Sequence, residues 1–595
     1  MKKNKRKIRG IFLALFFIVV AIAFVNFYNY YSDKSENVAE TNTMLQIIDN
    51  KVSQNADKHL RDIDSLYIDD GMDVVTMYLT VRKGNATEGT NHTWEEVNTY
   101  SVYDYDELGI PRYKVEALLQ VGTEQGIPAG NLGFERTVPN ATVQIRGQTS
   151  SRNNQKNYKI ELKENQGEWR GQTTIALNKH QTDGLRFRNK LGFDLLKNID
   201  QLMSLRTQFV HLYVNDLTDG SDDGFEDYGL YTQVEQLNKT ALRAHGLDRY
   251  GQLYKINFFE FYRYEDVIKL TTDPSYDSEE FEKYLEIKGD SDNTKLIKML
   301  EDLNNYNISI DEVLDRHFDR ENLVYWLAFN ILTGNVDTQS RNFYLYSPQN
   351  EDLWYFIMWD LDAFFRLKEN EILGRTDYGS WEKGVSNYWG NVLFQRCLKS
   401  ENFRKELDDA INDLRENVLS SSALSEKVAS YRNVVEDYIW QYPDVKYESL
   451  TLSEYDEVAK SIPGLVDIYY ENYLKSIEQP MPFYIGTPEI EGEKLVVSWD
   501  AAYDLQENDI RYKVVLSRNL DMSDVVDTYE GVWTEFTTDV PEPGEYFLKV
   551  QAIDEDGNVQ DAFDYYEEEH SGKNYGILCF YVNEDGTISR YTVTE

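Results

Sequence analysis

Three aspartates and one asparagine in the middle of the chain have the types and spacing that phosphoryl transfer requires. In Gly334-Asn335-Val336-Asp337-Thr338-Gln339-Ser340-Arg341-Asn342, a carboxylate and an amide stand five positions apart in a polar loop. Further on, Trp359-Asp360-Leu361-Asp362 closes an apolar run. Moving a phosphoryl group needs one carboxylate to orient the attacking hydroxyl and accept its proton. It also needs hard oxygen ligands to hold magnesium on the phosphates. In that scheme Asp337 is the base, and Asn342, Asp360 and Asp362 are the candidate metal ligands. The spacing alone carries little weight, because Asp and Asn crowd loops for turn geometry, and Asp360 and Asp362 could equally cap the next element.

The elements around these residues give the spacing meaning. Residues 318–332 read as the strongest helix of the chain, with Leu323, Leu327 and Ile331 at period four and Gly334 as its stop. A strand at 343–346, a turn at 347–352 and a buried-looking strand at 353–359 follow. Helix, Asp-x4-Asn loop, strand, turn, strand and Asp is the layout of a protein-kinase catalytic loop and metal-binding segment. Upstream, strands are expected at 74–81, 113–121, 141–146, 158–162, 209–214 and 229–234, with an amphipathic helix at 184–199. Residues 276–315 and 400–477 read as helical. Past Pro480 and Pro482 the pattern turns to strands again, at 494–499, 511–516 and 544–556.

Seven short pieces in order resemble the CotH family: Arg146-Gly147-x-Thr-Ser150-Ser151, Lys156-Asn-Tyr-Lys159-Ile-x-Leu162, Leu185-Arg-x-Arg188-Asn189-Lys190-Leu191, Val234-Glu235-Gln236, Gly334-Asn-x-Asp337, Asn342-x-Tyr-Leu-Tyr346 and Trp359-Asp360-Leu361-Asp362. The likeness runs over about residues 140–370 and more weakly to 475. It implies a two-lobed, atypical protein-kinase-like α+β core that binds ATP with Mg2+ and phosphorylates Ser/Thr of a surface or coat protein. It also implies roles: Asp337 as catalytic base, Asp360 and Asn342 on magnesium, Lys159 on the nucleotide phosphates with Lys156 as a rival. The Arg146, Ser150 and Ser151 loop is expected nearby, and Glu235 at the hinge between lobes. Arg146 and Arg188 read equally as phosphate contacts or as packing salt bridges. The chain departs from ordinary kinases in lacking a His before Asp337 and a glycine-rich G-x-G-x-x-G loop. The competing reading is a non-catalytic surface or coat assembly protein on the same fold.

Composition narrows the partners. A formal charge of -42 keeps nucleic acid and anionic lipid off the general surface. Against it, Arg146 to Arg206 holds twelve Lys/Arg and six Asp/Glu, a candidate anion site or a solvated basic face. Two distant cysteines, Cys397 and Cys579, exclude a Cys-based zinc site, and their pairing is unreadable. Six cations in residues 2–9 precede an apolar run beginning at Ile11, which reads as either a cleaved signal peptide or, the preferred reading, an uncleaved membrane anchor. The expected organisation is an anchor at 1–35, a stalk at 36–65, a β-rich region at 66–139 and the CotH-like domain at 140–477. A β-sandwich resembling a fibronectin type III module follows at 483–562, then a β tail at 563–595. The anchor places the protein at the cell membrane with the bulk of the chain outside the cytoplasm.

Overall fold

The computed structural model describes Leu60 and residues 63–67, 72–375, 379, 381–568 and 572–591. The expected anchor and nearly all of the stalk lie outside these residues. Among the described residues, no helix is long and apolar enough to cross a membrane.

Seven strands close a barrel: β1 (Val74–Arg82), β2 (Val115–Gly122), β3 (Ala141–Arg146), β4 (Asn157–Leu162), β5 (Thr174–Asn178), β6 (Thr207–Asp216) and β7 (Glu226–Glu235). Their order is β1-β2-β3-β4-β5-β7-β6, and β1 closes the ring by pairing parallel to β6, Met77 opposite Leu212. Alternation decides which side chains fill it. Met77, Leu119, Ile145, Ile160, Leu177 and Leu212 point inward and are fully buried, while Gln144, Arg146, Asn157 and Lys159 take the other face. The boundary expected at 139/140 is therefore corrected: β1 and β2 belong to the same barrel as the CotH-like strands, and without them it is open.

Below the barrel a second core surrounds α2 (Arg320–Thr333), after α1 (Arg188–Leu196) has packed between the two. A four-stranded sheet, ordered β11-β10-β8-β9, lies against α2; its strands are β8 (Gln252–Ile256), β9 (Leu285–Ile287), β10 (Phe343–Ser347) and β11 (Tyr355–Met358). Three long helices complete this body: α3 (Glu401–Glu416), α4 (Ser421–Ile439) and α5 (Leu452–Glu478). The expected amphipathic helix at 184–199 is shorter, and every residue of α1 is buried, Arg188, Asn189 and Lys190 included. Its apolar periodicity misleads because its charges face buried partners rather than water.

The third unit is a two-sheet sandwich. One sheet holds β12 (Glu489–Glu491), β13 (Lys494–Ser498) and β16 (Glu535–Asp539); the other holds β14 (Arg511–Ser517), β15 (Val525–Gly531) and β17 (Gly544–Ile553). Strand Ile577–Val582 pairs with β17, Leu548 opposite Leu578, and its side chains enter the same core. The sandwich thus runs past 562: of the tail expected at 563–595, strands Ile577–Val582 and Ile588–Arg590 belong to it, while Tyr565–Glu568 and Gly572–Tyr575 pair as a separate two-stranded sheet. Cys397 and Cys579 are both free and buried.

Candidate functional site

α2 ends where Gly334 adopts the left-handed conformation (φ 63°), and the Tyr469 ring packs so closely that a Cβ there would stand 2.3 Å from it. The loop that leaves this cap is tied down by amides. Asn330 Nδ2 donates to the Trp326 carbonyl, and Asn335 Nδ2 donates to Asn330 Oδ1, both at 2.9 Å. Asp337 then sits in a single 3-10 turn, Val336–Thr338. Its Oδ1 accepts from Arg341 Nε at 2.7 Å and its Oδ2 from Asn342 Nδ2 at 2.9 Å. Asn342 reaches back because it, too, is left-handed, at φ 61°. The Asp-x4-Asn spacing therefore brings its two polar ends into direct contact.

Asp360 follows β11 in the same unusual backbone region, φ 56°, a conformation Asp tolerates better than most residues. Its carboxyl is pushed up to about 7, first by burial in the surrounding protein and then by Asp362, with Asp337 adding to the repulsion. Asp360 is nevertheless an exposed residue rather than part of the core. Asp337 is raised as well, burial outweighing Arg341 and Asn342. Burial opposes ionisation of Asp362 too, yet His180, with Nδ1 3.4 Å from Oδ2, holds it below its ordinary value. Three mutually repelling carboxylates thus converge where the barrel meets the helical body.

From the barrel, Arg146 faces Asp360, its guanidinium bonded to Asn178 and its charge opposed by burial. Lys255 on β8 is a second cation within electrostatic reach of Asp360, placed opposite Tyr344 across the sheet. Sequence reasoning passed over Lys255, which no motif marks, and His180, which stands alone in a loop. Lys159 shares the outer barrel face with Arg146, and its ammonium pairs with Glu161 at 2.7 Å. Ser150 Oγ accepts from Asn157 Nδ2 at 2.9 Å, and Ser151 Oγ donates to the Gln148 carbonyl at 2.6 Å. Lys156 donates to the Ser151 carbonyl, also at 2.6 Å.

The basic island is neither a solvated face nor, for the most part, an anion site. Lys179 pairs with Asp444 at 2.6 Å and Arg186 with Glu448 at 2.7 Å, all four side chains almost wholly buried. Arg188 bridges Asp183 and Glu369, settling its two readings in favour of packing. Arg206 pairs with Glu235 at 2.5 Å, beside His245 at 2.9 Å. Glu235 does stand where the chain leaves the barrel, but its carboxylate is 1% exposed and committed to these two partners. Burial alone would raise it; His245 and Arg206 together hold it at about 2. Because this value lies below the ordinary one, the stabilisation is complete above pH 4.5 and lost as pH falls from there toward 2. Urea melts of Glu235→Gln should show a deficit of about 3 kcal/mol at pH 7 that shrinks below pH 4.5. A deficit constant from pH 7 to 3 would refute the assignment.

A closed β-barrel joined to a helical body, with acidic side chains where the two meet, defines a mixed α/β protein. The family model described as CotH kinase protein matches residues 143–469, and the chain belongs to that family. It is 22% identical over 319 residues to the inner spore coat protein H of Bacillus subtilis (strain 168), covering 52% of this chain and 79% of that protein. Among solved structures, the twitchin kinase region from C. elegans (Fn31-NL-kin-CRD-Ig26) aligns at 10% identity over 72% of this chain and 71% of that one, with a TM-score of 0.17.

Proposed function

We propose that the chain is a CotH-type kinase that transfers phosphate from Mg-ATP to a Ser/Thr hydroxyl of a coat or surface protein. The observation that carries this reading is the convergence of Asp337, Asp360 and Asp362 beneath Arg146, three carboxylates whose mutual repulsion a cation would relieve. No group of three His, Cys, Asp or Glu forms a ready metal cage among the described residues. Magnesium takes one or two carboxylates and completes its shell with phosphates and water. Asp360, Asp362 and Asn342 would hold it, and the bound ion would neutralise the phosphates.

The chain's own residues account for the rest. Asp337, raised by burial and fixed in place by Arg341 and Asn342, keeps lone pairs with which to orient a substrate hydroxyl and accept its proton. Arg146 and Lys255 present positive charge to the anionic side of the cleft. Lys159 would join them by releasing Glu161, and the Ser150–Ser151 turn would shape the edge nearest Arg146. Incubating the protein with Mg-ATP and a Ser/Thr protein acceptor tests this, beside Asp337→Ala. Transfer is expected from the parent, with a loss of roughly 10^2–10^4-fold in the variant. Absence of both transfer and nucleotide-dependent stabilisation in the parent sinks the reading.

A further inference from the structure

The family match ends at residue 469, yet the sandwich beyond it is fastened to the segment that grips Asp337 through a two-stranded sheet of its own, Tyr565–Glu568 with Gly572–Tyr575, inserted between the sandwich strands Gly544–Ile553 and Ile577–Val582. The fastening is specific. The Tyr575 hydroxyl donates to Glu382 Oε2 at 2.6 Å, and Lys573 Nζ lies 3.4 Å from Glu382 Oε1. The Trp381 ring stands edge-on to Phe563 and Tyr575, with centroids 5.3 and 5.6 Å away. Gly379 lies flat under Tyr575, so that a Cβ there would be 2.2 Å from the ring. Phe563 belongs to the hydrophobic core of the helical body although it follows β17 of the sandwich.

From that anchorage residues 381–391 run as a strap to the loop around Asp337. Asn387 Nδ2 donates to the carbonyl of Val336 at 3.0 Å, on one side of Asp337. The Tyr388 hydroxyl bonds Thr338 Oγ1 at 3.0 Å, on the other side. Asn391 Nδ2 donates to the Gln339 carbonyl at 2.8 Å. Three consecutive holds thus flank the one residue whose position matters most. A cavity of about 20 Å3, room for little more than one water, lies between strap and loop, lined in part by Asn335, Gly384 and Asn387.

We propose that the C-terminal sandwich is a positioning element for the catalytic loop, transmitting its docked state through Glu382 and the 381–391 strap to Asp337. The inference rests on Asp337 being the reacting carboxylate, but the mechanical coupling is separable from that role. Docking costs the loop its freedom once, and release of the sandwich returns it. A protein that pulls on the sandwich would therefore lower turnover without touching the cleft.

The test uses the whole chain with Tyr575→Phe and Glu382→Ala, and Trp533→Ala as a control at a 75% exposed position of the sandwich that takes no part in the contacts above. Hydrogen exchange of residues 334–342 without ligand is the first readout, and kcat and KM for ATP the second. Exchange in that loop should rise at least about fivefold in both strap variants and not in the control, with other core amides unchanged. The kcat should fall by a similar factor while KM for ATP stays within about twofold. Unchanged loop exchange overturns the proposal, and so does a rise spread evenly over the molecule, which marks simple destabilisation. If the parent transfers no phosphate, the kinase reading fails while the exchange result still decides this one.

Discussion

Arg188→Ala is expected to cost about 3–5 kcal/mol and to leave little folded protein at 37 °C, because two buried carboxylates lose the guanidinium that bridges them, with Arg366 and Arg375 only at 3.7 and 3.9 Å from Glu369. Asp183 and Glu369 are buried without solvent access on either side of Arg188. Arg188 also donates from its second terminal nitrogen to the Phe365 carbonyl at 3.3 Å, and the Asp183 carboxylate accepts its backbone N–H at 3.1 Å. Burial works against the guanidinium's charge, and the two carboxylates more than reverse that effect. Arg188→Lys should fail almost as badly, since a single ammonium cannot reach both acids and the carbonyl in one plane. Denaturant melts decide the matter: a loss under about 1 kcal/mol would mean the triad is not the brace it looks to be. The expected consequence reaches the cleft, because Glu369 lies only nine residues past Asp360.

Asp360→Asn should have the opposite effect on the resting protein and an equally large one on turnover. Removing one of three opposed charges relieves repulsion with Asp362 and Asp337, so the ligand-free variant should melt at a higher temperature than the parent at pH 8. The same change removes a hard anionic ligand, so Mg-ATP should raise the parent's melting temperature and not the variant's, and transfer should fall at least about 10^3-fold. Functional sites commonly trade stability for chemistry in this way. A variant that melts lower than the parent, or that still gains stability from Mg-ATP, would show that Asp360 does not hold the ion.

Local patterns were read well and long-range commitments were not. Strands such as 141–146 and the helix ending at Gly334 follow from alternation and capping, which act over a few residues. The Asp337, Asn342 and Asp360 constellation was legible because its spacing is short and its order distinctive. The partners of the basic island were not, since Asp444 and Glu448 lie more than 250 residues from Lys179 and Arg186 and no pattern links them. Nor could Lys255 be found, because a strand lysine carries no signature until Tyr344 and Asp360 are seen beside it. The two misplaced boundaries share one cause. Strands β1 and β2 of the barrel, and the strand Ile577–Val582 of the sandwich, each join partners across long intervening chain.

The parallel seam that closes the barrel dictates an order of events during synthesis. Val74 must find Phe209, 135 positions later, so β1 and β2 leave the ribosome long before the strand that completes them. Until β6 and β7 arrive, β1 to β5 form an open sheet whose β1 and β5 edges are unpaired, the kind of surface on which chains stick to one another. The delay makes the nascent chain depend on holding factors for longer than its local helices would. A piece cut at the family's matched limit would carry that vulnerability permanently, with β3 and β6 left as raw edges on a barrel that never shuts.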